Sequence, residues 1–515
     1  MKYFGWIFLF FIVSFIIPLG SRPMYSPWEY YGAIPAREMV ESGSYATVPG
    51  DLAAPPMSHW VTTASYNLFG INNFSARLPS ALAAGLTALF IALLIQQHLR
   101  DEKLAALSAT VYMSFSLVFM YSGLSLLFMF STMAIIGSMG AIFLALQEAK
   151  FNRRKFLLSV IAGLFSAVGV LSCGISAFSI PALTMLGYML ISRRLKELLF
   201  TGIPFIIFAA LPVLPSFLCL LKTPELIAQF LHWNRHDVPY FAYPLIIIAG
   251  IFPVWVLIPA AMMTGKEAWK RLFGQPLCKF ACCSIIIPII YAFVTRNIHP
   301  AMLLVVFPSL AILVALGLQA YFNAGGHHRS FDWMLNLWAT LLILSGLAEV
   351  ILWFFPNIHT PILAKTIFKP VILLVFGVVS LIGGGALLYS LRGTWRSRLY
   401  LFFFSIAILP LGFSWCFNSS KIMPGKEFKS LVSSCNIAPG KSDLYARQEH
   451  IPALRWISGC KIRLLDEITI ENNDLPTYLV LEKNDPILLR YSKNNYKCIE
   501  SANFICVEIP QPEND

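Results

Sequence analysis

Apolar runs of near twenty residues, separated by short charged loops, repeat along most of this chain. They fall at about residues 4–20, 78–97, 104–121, 124–147, 156–177, 178–192, 198–221, 244–263, 280–295, 301–321, 333–354, 367–390 and 399–417. A helix of that length approaches the roughly 30 Å of a bilayer hydrocarbon core, so the pattern predicts about thirteen transmembrane helices. The division between the fifth and sixth runs is the least marked, because Ile180-Pro181 leaves almost no loop there. No small-x-small cleavage site follows the first run, which is therefore read as an uncleaved span rather than a signal peptide. From Asn418 the composition turns mixed and charged. Short β-like runs at Lys461–Leu465, Thr477–Glu482, Ile487–Tyr491 and Phe504–Ile509, with a helical stretch over Ile451–Ile457, predict a small α/β unit. The expected division is a transmembrane domain over 1–417 and a soluble α/β domain over 418–515.

Composition fits an all-α polytopic membrane protein with that small C-terminal addition. Of 515 residues only 12% are charged, and the mean hydropathy is +0.69. A formal net charge of +12 would suggest nucleic acid in a soluble protein. Here Lys and Arg collect in short loops, where they orient membrane segments instead, and nucleic-acid binding is excluded. With Lys2 inside, the predicted cytoplasmic loops carry Arg100 and Lys103; Lys150, Arg153, Arg154 and Lys155; Arg193, Arg194 and Lys196; Lys266, Lys270, Arg271 and Lys279; Arg329; and Arg392, Arg396 and Arg398. An odd number of spans then puts the C-terminal domain on the exoplasmic side. The expected location is the inner (plasma) membrane.

The first polar stretch, residues 21–77, is too long and too varied for a plain connector. It holds Glu29, a helical pattern over Ala36–Ser42 containing Arg37-Glu38-Met39, then Gly43, Pro55-Pro56 and a helical run over Ser58–Phe69 that includes Trp60. Gly70 follows, and then Ala76-Arg77-Leu78-Pro79-Ser80-Ala81. In that order and spacing the set resembles the first external loop of the C-type membrane glycosyltransferases, specifically the aminoarabinose transferase and protein O-mannosyltransferase group. Departures accompany the likeness. Trp28 stands where the family has a catalytic Asp, and Ala54 where it has a phosphate-contacting Lys. Phe128, in Leu126-Leu127-Phe128-Met129-Phe130, stands where the family has a second Asp.

The resemblance implies a C-type fold and transfer of a sugar from a polyprenyl-phosphate donor to a lipid A-like or protein acceptor outside the cytoplasm. Such a reaction needs a carboxylate for the acceptor and cations for the leaving phosphate. Glu29 is the remaining candidate base, with a structural role for it as the competing reading. Arg37, Arg77, Arg296, His299 and Tyr243 are the candidate substrate contacts, the late loop Thr295–Pro300 and the aromatic run Pro239–Tyr243 both resembling family segments. No cofactor is certain beyond the polyprenyl-linked donor. The alternative is a catalytically silent relative that binds lipid phosphate or partners an active transferase, and the trio Trp28, Ala54 and Phe128 favours it. Membrane lipids are expected partners in either case.

Other features carry less. His232 and His236, four apart beside Arg235 and Asp237, lack a third convincing ligand, so no metal is expected. Glu349 lies within an apolar run near its predicted outer end, and the shortage of other intramembrane charges disfavours an ion-coupled pump. No Walker A sequence is present. Cys435, Cys460, Cys498 and Cys506 in the soluble part are compatible with two disulfides of open pairing.

Overall fold

Over its described residues each apolar run is mainly helix in the computed structural model, which describes residues 2–20, 24, 28–45, 55–126, 128–215, 217, 242–262, 266–295, 300–323, 329–354, 370–390, 395–416, 425–435, 437, 443–447, 450–460, 462–464, 477–483, 485, 497–501 and 504–509. Among these, six helices are long and apolar enough to cross a membrane: Asn73–Leu99, Phe128–Gln147, Arg153–Cys173, Pro276–Thr295, Met302–Asn323 and Phe331–Ile351. Two further runs are bent pairs, Glu102–Met113 with Ser116–Ser122 at 69° and Ala242–Ile251 with Val254–Met262 at 78°. Shorter apolar helices at Tyr3–Ile16, Ser176–Ile191, Leu198–Ala210, Leu374–Tyr389 and Ser397–Ile408 occupy the remaining runs. Among the described residues, length and apolarity thus support six spans, or eight if each bent pair is one.

The break between the fifth and sixth runs lies earlier than expected. The helix Arg153–Cys173 ends at Gly174, whose φ of 79° suits a residue without a β-carbon. Pro181 sits inside the next helix, Ser176–Ile191. Proline cannot donate to the carbonyl four residues back, Ala177 O, and the Ser166 hydroxyl donates to that oxygen instead, at 3.1 Å. The same exchange recurs at Pro79, inside the helix Asn73–Leu99: the freed Ser75 carbonyl accepts from Ser65 Oγ at 2.7 Å. Glycines also permit close helix contacts. A β-carbon on Gly346 would come within 2.7 Å of the Gly377 carbonyl, so the helices Arg329–Phe354 and Pro370–Tyr389 approach backbone to backbone.

At the C-terminal end, β1 (Asp443–Ala446), β2 (Ile462–Leu464), β3 (Thr477–Glu482), β4 (Lys497–Glu500) and β5 (Phe504–Ile509) form one sheet in the order β2-β1-β3-β5-β4. β1 runs parallel to both β2 and β3, while β5 is antiparallel to β3 and β4. The register puts Leu444, Ala446, Tyr478, Val480, Phe504 and Cys506 on one face. Phe428 and Leu431 of the helix Gly425–Ser434, with Ala453 and Leu454 of the helix Ile451–Ser458, share an apolar cluster with that face. β1, β4 and the first of these helices are additions to the expected elements, and the expected strand Ile487–Tyr491 lies outside the described residues. Met24, Tyr30, Ala33, Ala36, Tyr66 and Ala76 belong to the same cluster. The first polar loop and the C-terminal sheet therefore lie at the same end of the helical bundle.

Candidate functional site

The first loop is built on two helices, Trp28–Ser42 and Met57–Phe69. They cross closely, Thr63 Oγ1 donating to Ala36 O at 3.2 Å and the Tyr66 hydroxyl to Ala33 O at 3.2 Å. The second ends at Gly70, whose φ is 74°. Asn72 then caps the helix Asn73–Leu99: its side chain accepts from Ser75 N at 2.9 Å while Ser75 Oγ accepts from Asn72 N at 3.1 Å. That cap aims the next residues, Ala76 to Ser80, back into the loop.

Arg77 and Glu29 meet at the centre of this joint, and both are fully buried. Arg77 Nε donates to Glu29 Oε1 at 2.8 Å, and Nη2 to Oε2 at 3.0 Å. The guanidinium also donates through Nη1 to Leu19 O at 2.7 Å, at the end of the first helical run. Ser125 holds Glu29 from the other side, its N–H donating to Oε1 at 3.2 Å and its hydroxyl to the Glu29 carbonyl at 2.6 Å. Gly32 permits this approach, since a β-carbon there would lie 1.9 Å from Ser125 O. Ser80 Oγ donates to Leu126 O at 2.8 Å. The Ala76–Ser80 motif thus ties together the first span, the loop helix and the segment that leads into Phe128–Gln147. Burial and the charge of Glu29 push the Tyr30 phenol above its ordinary value, with Arg77 partly opposing them.

Arg37 and Glu38 serve a second joint, against the C-terminal helix Ile451–Ser458. Arg37 Nη1 donates to the Trp456 carbonyl, and its guanidinium carbon lies 5.9 Å from the Trp456 ring centre. Its Nε donates to Glu41 Oε1 at 2.6 Å. Glu38 pairs with Arg455. The Trp456 indole N–H reaches Asn73 Oδ1 at 3.3 Å, and its ring packs on Tyr66 with centres 6.1 Å apart. Burial raises the Tyr66 phenol above its usual range.

The candidates named from sequence are therefore divided. Glu29 and Arg77 come together, but as a closed pair that leaves neither an open face toward a substrate. Glu29's cation is Arg77. Arg37 faces the C-terminal helix. Tyr243 is buried beside Phe293, with ring centres 5.4 Å apart, one helical turn from Ile246. Phe128 opens its helix half-buried, with its ring centre 6.1 Å from that of Tyr121. Ala54, His232, Arg235, His236, Asp237, Arg296 and His299 lie outside the described residues, as does the side chain of Trp28. Sequence reasoning missed Ser125, Trp456 and Arg455; Ser125 was signalled only by its place just before the Leu126-Leu127 run. Among the described residues no cluster of three His, Cys, Asp or Glu could hold a metal.

A cavity of about 420 Å³ opens where the two bent helix pairs meet. Phe10, Met113, Leu117, Phe119 and Ile246 give it apolar walls. The bends are tied to each other there, Ser116 N donating to Phe252 O at 2.8 Å and Ser116 Oγ to Ala249 O at 2.7 Å. From the cavity, the helix Ser116–Ser122 climbs about 10 Å toward Ser125 and the Glu29 joint.

The family model described as dolichyl-phosphate-mannose-protein mannosyltransferase matches residues 53–219, a stretch that includes Arg77, Ser125 and Phe128. The undecaprenyl phosphate-alpha-4-amino-4-deoxy-L-arabinose arabinosyl transferase 2 of Proteus mirabilis is 28% identical over 323 residues, 60% of this chain. The corresponding Shewanella sediminis transferase is 28% identical over 383 residues, covering 71% of this chain and 68% of that one. ArnT from Cupriavidus metallidurans, solved bound to undecaprenyl phosphate, superposes with a TM-score of 0.79 over 98% of each chain, at 18% identity. The resemblance to the C-type membrane glycosyltransferases holds. At that identity the solved structure establishes a shared fold. The match covers 58% of the Proteus relative's own length, less than two thirds.

Proposed function

We propose that this chain is a membrane glycosyltransferase that takes a sugar from an undecaprenyl-phosphate donor and passes it to a lipid A-like acceptor on the exoplasmic face. The observation that carries this reading is the apolar cavity at the paired bends, from which the helix Ser116–Ser122 runs toward the Glu29 joint. Its walls suit an isoprenoid chain, and the donor phosphate would then sit at the level of the first loop. The names of the sequence relatives support the donor and acceptor classes. Of the cationic candidates, Arg296 and His299 remain for the phosphate, because Arg37 and Arg77 are engaged elsewhere.

Glu29 acts in this reading as a positioning residue that fixes the loop over the cavity. Transfer breaks the bond between the anomeric carbon and the phosphate oxygen, and that oxygen leaves with the bonding electrons. An acceptor hydroxyl would need a base to take its proton. A phosphate ester on the acceptor is already an oxyanion near neutral pH, and it attacks without one. The apolar residues Trp28 and Phe128 at carboxylate positions thus favour an anionic acceptor. Binding without transfer is the second reading, favoured by the capture of Glu29 by Arg77. No active transferase partner is supported by the comparisons.

The same proposal places about thirteen helical passes in the plasma membrane, a division near residue 417, a cytoplasmic N-terminus, and the loop 21–77 and residues 418–515 outside. The test is binding of undecaprenyl phosphate to reconstituted protein. Leu117→Trp, which fills the cavity, is expected to weaken binding about tenfold, equivalent to about 1.4 kcal/mol. Phe8→Trp, at an exposed position on the first helix, should leave it unchanged. Equal binding by wild type and Leu117→Trp would overturn the cavity assignment.

A further inference from the structure

We propose that Cys435 and Cys506 form a structural disulfide that staples the end of the helix Gly425–Ser434 to the central sheet. The proposal rests on the exoplasmic placement of residues 418–515 given above. Cys435 directly follows that helix, its N–H donating to Leu431 O at 2.9 Å, and its side chain turns into the apolar cluster over the sheet. Cys506 lies on β5, flanked by Val480 of β3 and Ile499 of β4 in the register, and is 1% exposed. The two side chains lie in that same apolar cluster, and the helix Gly425–Ser434 packs against β5. In the structure both are reduced.

The other two cysteines are placed differently. Cys498 pairs with Val507 across β4 and β5, so the pleat turns its side chain to the face opposite Cys506. It is also exposed. Cys460 follows the helix Ile451–Ser458, and its thiol donates to Ser458 O at 3.8 Å. Of the three ways to pair four cysteines into two bridges, the fold favours only the Cys435–Cys506 bond and gives no support to a Cys460–Cys498 one.

Oxidation removes two protons and two electrons from the thiols and joins the sulfurs. A protein disulfide of the oxidising compartment supplies the acceptor: one of its sulfurs is first bonded to one of the two cysteines, the second cysteine displaces it, and the carrier leaves as a dithiol. Contact with Cys435, together with burial, pushes the Cys506 thiol well above its ordinary value. Little thiolate exists there near neutral pH, and the thiolate is the attacking species. Cys506 is also 1% exposed, so a carrier disulfide reaches it only before the helix covers the sheet.

The test uses full-length protein from cells quenched with N-ethylmaleimide, digested without reductant and read by mass spectrometry. The expected product is a Cys435–Cys506 linked peptide lighter by two hydrogens than its reduced parts, with Cys460 and Cys498 alkylated. In parallel, Cys498 is labelled with a membrane-impermeant maleimide in right-side-out and inverted vesicles. Alkylated Cys435 and Cys506, with Cys498 labelled from outside, would overturn the disulfide and leave the topology standing. Labelling of Cys498 only in inverted vesicles would overturn both. In limited proteolysis, reductant should sensitise residues 425–509 of the wild type, and the Cys435→Ala/Cys506→Ala double variant should be equally sensitive with or without it. A wild type whose cleavage ignores reductant would also reject the proposal.

Discussion

Replacing Glu29 with alanine would leave the Arg77 guanidinium without its counter-charge in a site closed to water, since both side chains are fully buried. Removing one partner of such a pair costs about 3–5 kcal/mol, most of it the cost of an uncompensated buried charge. Glu29→Gln keeps the shape and one acceptor oxygen but loses the charge, with an expected cost of about 1.5–3 kcal/mol. A chain this long shifts its melting midpoint by only about 1 °C per kcal/mol. Isothermal unfolding with a denaturing detergent, followed by tryptophan fluorescence, therefore resolves the effect better than a thermal scan. The double variant Glu29→Ala/Arg77→Met should recover much of the loss, because an apolar replacement of both partners removes the stranded charge. Donor transfer by Glu29→Gln should fall only in proportion to the folded fraction. A Glu29→Ala protein that unfolds like the wild type yet loses all transfer would refute the structural role and restore Glu29 as a chemical participant.

The joint to the C-terminal helix is tested by charge exchange. Glu38→Arg should expose residues 425–509 to protease, and adding Arg455→Glu should restore protection, although a pair this exposed is worth only about 0.2–1 kcal/mol. Gly32→Ala should be among the most damaging small substitutions in the loop, because its β-carbon would meet the Ser125 carbonyl at 1.9 Å; detergent unfolding should show a loss of about 1–3 kcal/mol or failure to fold. High pH offers a third check. Tyr30 and Tyr66 have phenols raised above the ordinary value of about 10 by burial, so their contribution is complete below about pH 10 and is lost as pH rises toward their folded values, since the unfolded chain ionises first. Stability measured against pH should fall above about pH 10 in the wild type, and less steeply in Tyr66→Phe.

The helical bundle was legible because the solvent of a membrane protein is written directly into hydropathy: every apolar run is mainly helical over its described residues. Its breaks were harder to read. Pro181 marks a boundary only if its freed carbonyl has no other donor, and Ser166 supplies one from a neighbouring helix. The loop motifs were legible as a set, while their roles were not. Arg37 and the Trp456 carbonyl are 419 residues apart in sequence, so a residue expected at the donor proves to hold the C-terminal helix. The pairing of Glu29 with Arg77 spans 48 residues and depends on Gly32 admitting the Ser125 backbone, a contact with no local signature. β1 and β4, four residues each, gain their strand character from the neighbours they pair with rather than from their own alternation.

The most direct measurement is sugar transfer by purified protein in proteoliposomes, with a labelled undecaprenyl-phosphate sugar as donor and lipid A as acceptor. The account predicts that label moves to the acceptor, that dephosphorylated lipid A receives little, and that Leu117→Trp slows the reaction by weakening donor binding. A donor that binds normally and remains intact beside phosphorylated acceptor would contradict it, leaving the chain a lipid-phosphate binder on a transferase fold.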